Sequence, residues 1–326
     1  MAFSPSYDTS NPGASVGNRE DLADYVSTLA PEETPIVSAM PKTSISATNH
    51  EWIVDKLADV DTGGTVEGTD VSAYVDEFAG RARLSNYYQK LRKGYMVSDI
   101  QELVQSVGPA KFAEAEMKAV RELKRNLEAT ASSNNDKVAG DAGTASKMRG
   151  LGDWIDSSGP SDVPEAYRTP SDSIHSTGSL TEPLFNGLIE SIYRVSGNTQ
   201  NLTLVADTKL RAHITENYAR TTGATDIVYR NINQPADGRI RNTVGFYESD
   251  FGVVAVVNMN PDCAPDTTNK DTGYLLNYDY LQLGELKTLG SQMTSNEGGG
   301  ERGFVDWAGT LVVKHPGALG KITAIA

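Results

Sequence analysis

The sequence predicts an α+β fold, a mixed core of helices and strands from which an N-terminal arm and a long hairpin project. Three observations lead there. Residues Pro109 to Ala131 carry Ala113, Met117, Val120, Leu123 and Leu127 at helical spacing, the pattern of one long amphipathic helix. Apolar runs such as "NLTLVAD" and "TVGFYESDFGVVAVVNMN" alternate with helical segments and read as strands. Residues 1–48 and 49–95, by contrast, are too polar, proline-broken or charged to bury themselves on a compact monomer.

In chain order, residues 1–18 are small, polar and interrupted by Pro5 and Pro12, an extended arm. Arg19 to Leu29 places Leu22, Val26 and Leu29 on one helical face, and Pro31 stops that helix. "PEETPIVSAMPK" carries three prolines and reads as an extended connector. Residues 49–95 then read as a long β-hairpin with oppositely charged limbs. Its outbound side holds Glu51, Asp55, Asp59, Asp61, Glu67, Asp70, Asp76 and Glu77 against Lys56; its return side holds Arg81, Arg83, Lys90, Arg92 and Lys93. Such limbs suggest an arm held by charge, against its own return strand or against a neighbour.

In the long helix that follows, Pro109 suits the first turn and Glu122 with Arg125 forms a surface pair. Gly, Ser, Asp and Pro dominate the next forty or so residues, predicting exposed loops around a pinned segment at Leu151, Trp154 and Ile155. "LTEPLFNGLIESIYRVSG" predicts a helix with Leu184, Leu188, Ile192 and Val195 inward, Thr181 as its cap and Gly197 as its stop. A strand, a second helix ("TKLRAHITENYART") and several β-rich stretches complete the chain.

At 326 residues, with 38% hydrophobic and 22% charged residues, the chain can fill one large domain or two ordinary ones. Its net charge of -14 argues against general nucleic-acid binding. Cys263 is the single cysteine, so an intrachain disulfide and a cysteine-built zinc site are excluded. The opening "MAFSPSYDTS" has neither a basic nor an apolar stretch and no apolar run of about 18 residues occurs, so neither a secretory leader nor a membrane partner is expected.

Reactive motifs lack their required context. "GASVG" matches the nucleophile elbow of a serine hydrolase around Ser15, but no strand precedes it in that polar tail. "HITE" puts His213 and Glu216 on one helix face without a third ligand. "DVDTGGTVEGTD" spaces Asp59, Asp61, Gly64 and Asp70 as in a calcium loop. Gly63, however, occupies a position that needs a side-chain oxygen, Asp70 replaces the usual bidentate Glu, and strand-like sequence follows where a helix is required. An acidic, glycine-rich hairpin tip accounts for the same residues. No enzyme and no cofactor is expected, and a calcium-binding module remains an alternative.

The ordered set of segments resembles a known family. "NREDLADYVSTLAPEETPIVSAM", "HEWIVDKLA", "RARLSNYYQKLRKGYMVSDIQELVQSVGPAKFAEAEMKAVRELKRNLEATA", "MRGLGDWI", "SDFGVVAVVNMN" and "LVVKHPGALGKITAI" follow one another as in the major capsid proteins of tailed bacteriophages, whose fold herpesvirus capsids and encapsulin shells share. The resemblance implies an arm and connector (1–48), an extended loop (49–95) overlapping an adjacent subunit, a peripheral domain with a spine helix (96–139), an axial domain (140–245) and strands returning to both (246–326). It implies assembly contacts at Asp59, Asp61, Gly63, Gly64 and Asp70 of the loop tip and at Arg81, Arg83, Lys90, Arg92 and Lys93 of the return limb. The partners implied are further copies in pentamers and hexamers, packaged double-stranded DNA held without sequence specificity, and separate scaffolding, portal and decoration proteins. The implied location is the virion, after assembly in the host cytoplasm. An encapsulin-type shell around a cargo enzyme is the nearest rival.

Overall fold

The computed structural model describes residues 33–71, 74–104, 111–222, 227–229, 244–266 and 268–325. The helix expected at Arg19–Leu29 and the Ser15 motif lie outside them. In chain order the elements are α1 (Pro35–Ala39), β1 (Lys42–Ser44), β2 (Asn49–Val54), β3 (Ala82–Tyr87), β4 (Gln89–Val97), α2 (Asp99–Leu103), α3 (Phe112–Ser132), α4 (Leu151–Trp154), β5 (Ile174–His175), α5 (Glu182–Ser196), β6 (Leu202–Ala206), α6 (Thr208–Ala219), β7 (Arg220–Thr222), β8 (Ile227–Tyr229), β9 (Phe246–Ser249), β10 (Gly252–Asn258), β11 (Gly273–Asn277), β12 (Leu281–Thr294), β13 (Glu301–Val313) and β14 (Gly320–Ile322).

Two sheets carry the fold. The first has the order β1-β12-β13-β4, with β12, β13 and β4 antiparallel and the short β1 parallel to β12. The second has the order β5-β14-β11-β6-β10-β9. Its β6 and β11 alternate with the strand period of two, so opposite faces feed different cores. Leu202, Leu204, Ala206 and Leu275 pack with Phe185, Leu188, Ile189 and Ile192 of α5. Val205, Tyr274 and Leu276 point the other way, into the cluster formed by α3, Trp154 and the β13 residues Val305, Trp307, Leu311 and Val313. This shared sheet joins the two cores.

The helices α3, α5 and α6 form where the sequence predicts, with Pro109 outside the described residues, but the buried faces of α3 and α5 are set by the sheets. In α3 the buried line is Ala119, Leu123, Leu127 and Ala131, a regular four-residue step. Ala113 and Met117, expected inward, are exposed. Glu122 and Arg125 do not pair with each other as expected: Lys93 of β4 takes Glu122 at 2.9 Å and Asp262 takes Arg125 at 2.5 Å. In α5, Leu184 and Val195 are exposed, because the face that meets the sheet is centred on Phe185, Ile189 and Ile192. Gly197 ends this helix in the left-handed region at φ 65°, a conformation glycine adopts without Cβ strain. Thr181 holds the cap position without a side-chain cap bond.

Two further expectations change. The connector at 31–42 contains a helix, α1, because Pro35 suits a first helical position and Glu128 of α3 accepts the N–H groups of Ile36 and Val37 at 2.9 and 2.8 Å. The expected long hairpin is a short stem, β2 against β3, and its pairing stops at Val54 and Ala82. Residues Gln89–Val97 leave the hairpin altogether and pair with β13, since their odd positions Leu91 and Tyr95 must reach the core.

Arg149 fixes the loops that follow α3. Almost fully buried, it meets Asp136, Asp153 and Asp162 at 2.6, 2.9 and 2.8 Å and stacks over Trp154. Its backbone N–H is taken by the Asn86 side chain of β3, which also donates to Leu311. The hairpin stem is thereby bolted to the core.

Replacing Glu128 with Ala leaves two backbone donors of α1 unpaired and should lower unfolding free energy by about 2–4 kcal/mol in urea titrations. Burial raises the Glu128 carboxyl above its ordinary value, opposed in part by the Val37 and Ile36 N–H groups. The folded chain therefore holds this proton more tightly than the unfolded chain. The group's contribution to stability is fully present below the ordinary glutamate pKa and is lost as pH rises through the raised value. Comparing urea midpoints across pH 4–8 should show that Glu128→Gln flattens this slope.

Candidate self-association surface

Residues 55–81 form a projecting segment between β2 and β3 in which no strand is present among the described residues. Leu57 (91% exposed), Val60, Val66, Val71, Tyr74 (89%), Val75 and Phe78 lie open to solvent there. So many large apolar side chains in one segment exceed the scattered exposure of an ordinary monomer surface, and they mark a surface meant for contact. Acids are interleaved with them, at Asp59, Asp61, Glu67, Asp70, Asp76 and Glu77. A chain of alternating acid, glycine and apolar residues has no face to offer a partner strand of its own, so the ladder ends at the stem.

The sequence-predicted contact residues separate into three groups. Asp59, Asp61, Gly63, Gly64 and Asp70 all sit on the exposed segment. The Asp61 Oδ1 accepts the Gly63 N–H at 2.7 Å, a local turn that an added Cβ at Gly63 would crowd. Arg81 and Arg83 belong to the stem, where they pair with Asp55 at 2.9 Å and Glu51 at 3.2 Å across the two limbs. The Arg81 guanidinium beside Asp55 holds that carboxyl below the usual range, and Arg81 also stacks over Phe78. Lys90, Arg92 and Lys93 are not on the loop, which corrects their expected place; they stand in β4. Lys93 faces α3, whereas Lys90 and Arg92 face the opposite side and converge on Asp306 of β13 at 4.0 and 3.2 Å.

Sequence reasoning missed Asp306 and its third partner, Lys287 of β12, at 2.6 Å. Asp306 has no exposed surface. Burial would raise its carboxyl, but Lys287 and Arg92 outweigh that and hold it below the ordinary value. An aspartate inside a long apolar strand, "GFVDWAGTLVV", was the available signal. Also overlooked were the apolar residues between the loop acids, which the charge pattern had masked.

Metal and nucleophile chemistry find no assembled site among the described residues. Asp59, Asp61 and Asp70 do not converge, no flanking helices bracket their loop, and no group of three or more His, Cys, Asp or Glu could hold a metal ion. The Cys263 thiol is buried and pushed up to about 11, the opposite of an activated nucleophile. The ring of His213 lies 3.2 Å from the Leu180 carbonyl oxygen. No helix is long and apolar enough to cross a membrane among the described residues.

Comparison with known proteins bears on the family and the fold. A major capsid protein of Escherichia phage Phieco32 is 35% identical over 114 residues, 34% of this chain; the match spans about a third of that relative's length (32%). The capsid asymmetric unit of cyanophage A-1(L) is similar with a TM-score of 0.64 at 15% identity, covering 98% of each chain. A holo-SrpI encapsulin complex from Synechococcus elongatus PCC 7942 is also similar, with a TM-score of 0.53 at 13% identity, covering 99% of this chain and 95% of that one. At such identities these structures share the α+β fold. The sequence pattern of the SU10 major capsid protein matches residues 8–326, and the chain belongs to that family.

Proposed function

We propose that this chain is the shell subunit of a tailed-phage head, self-assembling as pentamers and hexamers into an icosahedral capsid around double-stranded DNA. The observation that carries the proposal is the projecting segment 55–81, whose large apolar side chains stand exposed on the single chain and would gain by burial on other copies. Family membership supports the same reading. A closed shell multiplies one modest contact by symmetry, so many weak interfaces sum to a stable particle. An acidic chain suits a container for DNA, because strong phosphate affinity would hinder packing and release.

Within that reading, residues 55–81 with their stem form the extended loop, and α3 with the four-stranded sheet forms the peripheral domain. The six-stranded sheet with α5 and α6 forms the axial domain that meets its copies around the capsomer axis. On this division β10, β11 and β14 stand on the axial side, beside β6, and β12 and β13 on the peripheral side. The subunit acts as a structural protein of the virion, assembled in the host cytoplasm, with scaffolding, portal and decoration proteins as further partners. Co-purifying DNA rather than a cargo enzyme distinguishes this function from an encapsulin-type shell.

Purified chain viewed by negative-stain electron microscopy over a concentration series should show closed particles. Monomers at every concentration, with or without a scaffold, would sink the proposal. Reversing Arg81 and Arg83 to Glu should leave circular dichroism and the urea midpoint nearly unchanged, since both pairs are exposed. The same change should lower particle yield, because the stem no longer holds the base of the loop; wild-type yields would show that its charges do not matter.

A further inference from the structure

The two limbs of the hairpin stem part at one place. Val54 pairs with Ala82 and Asp55 meets Arg81 across the limbs; the same register would set Lys56 opposite Gly80, but no rung forms there among the described residues. A different anchor takes over. The hydroxyl of Tyr167 donates to the Gly80 carbonyl at 2.5 Å. Tyr167 is buried, and its ring meets that of His315 at a steep angle, with the centroids 6.0 Å apart. His315 stands two residues past the end of β13. Thr169 clamps the two segments together inside the protein by donating to the Pro316 carbonyl at 2.8 Å. Gly317 packs so closely that an added Cβ would lie 3.1 Å from the imidazole.

This enclosure suits only the neutral ring. The His315 Nδ1 is buried and has no hydrogen-bond partner among the described residues. Protonation makes both ring nitrogens donors, so Nδ1 would carry a buried N–H without an acceptor. The charged group that acts on the ring is Lys56 of the outbound limb, which has the same sign. Asp55, its neighbour, is taken by Arg81, while Tyr167 and Gly317 offer a ring and backbone. Burial pushes the imidazole below the ordinary histidine range; the residue's own backbone opposes this in part, and Lys56 adds to it.

We infer that His315, Tyr167 and Gly80 form a pH-gated anchor at the base of the 55–81 segment, closed while the imidazole is neutral and released when it takes a proton. A charged ring gains by turning out to water, away from Lys56. That movement removes the wall against which Tyr167 is held and frees the Gly80 carbonyl. The anchor's contribution is therefore fully present above the ordinary histidine pKa and is lost as pH falls through the lowered value. The inference concerns the single chain and goes beyond the shell reading. On that reading, acid leaves the contact segment without a fixed direction.

Hydrogen exchange read by mass spectrometry on the full-length chain tests the anchor from about pH 5 to pH 8, each rate being corrected for the intrinsic effect of pH. The peptide around Gly80 and Arg81 should exchange several times faster at the acid end than at the neutral end. The peptide around Val37, which Glu128 holds, should not follow it. His315→Gln, which cannot charge, should keep the base of the segment protected in acid. Tyr167→Phe, which lacks the donor to Gly80, should leave it exchanging fast throughout. Should either variant fold poorly, Lys56→Glu still decides, because Lys56 is exposed and its reversal favours the charged ring. That change should move the transition to higher pH. A flat profile in the unaltered chain, the same profile in His315→Gln, or an unmoved transition in Lys56→Glu would overturn the anchor. All these readings are made on subunits, so failure here leaves the shell reading untouched.

Discussion

The four-stranded sheet depends on one strand. From Val305 to Val313, β13 is buried along its whole length, and it hydrogen-bonds to β12 on one side and β4 on the other. Its odd residues Val305, Trp307, Leu311 and Val313 supply the core that α3 covers. Its even residues work on the other side. Thr310 donates to Tyr87 and Asp306 gathers the cations, while the Leu311 carbonyl takes the side chain of Asn86. Through these bonds the hairpin stem, the long helix and the charged face keep fixed positions relative to one another. A buried strand tolerates an aspartate only with its charge answered, so the cations around Asp306 are part of that strand's stability as well as of the surface.

A second constraint acts outward. The described core is dense, with Trp154, Trp307, Tyr274 and Phe185 essentially free of solvent, yet residues 55–81 leave large apolar side chains exposed. A subunit built to work alone would not keep such a segment. On the proposed function the interleaved acids resolve the conflict: charge opposes indiscriminate association, while the apolar residues reserve their burial for a neighbouring copy. Under the same proposal, exposed stem pairs such as Arg81–Asp55 orient the segment more than they stabilise the fold.

Much of the architecture was legible in the residues. The helix through Leu123 and Leu127, the helix ended by Gly197, the pinned Trp154 segment and the strand "NLTLVAD" follow from local periodicity and caps, which act within a few residues. The candidate site was half legible. Charge asymmetry pointed to residues 49–95, but it assigned Lys90, Arg92 and Lys93 to a loop when they belong to a sheet.

The sequence by itself determined the main helices and strands and the acidic projecting segment, because each is written in spacing and residue type over short stretches. Only the tertiary structure decided which face of each helix is buried, where the hairpin stops pairing and which cations meet. Leu184 and Met117 are exposed although their spacing suits burial, since the sheets and not the helices set the direction of the core. Asp306 lies more than two hundred residues from Arg92 along the chain, at one hydrogen-bonded register across β13 and β4. Strand pairing over that separation is settled by the whole hydrophobic pattern at once, and no local reading of either segment contains it.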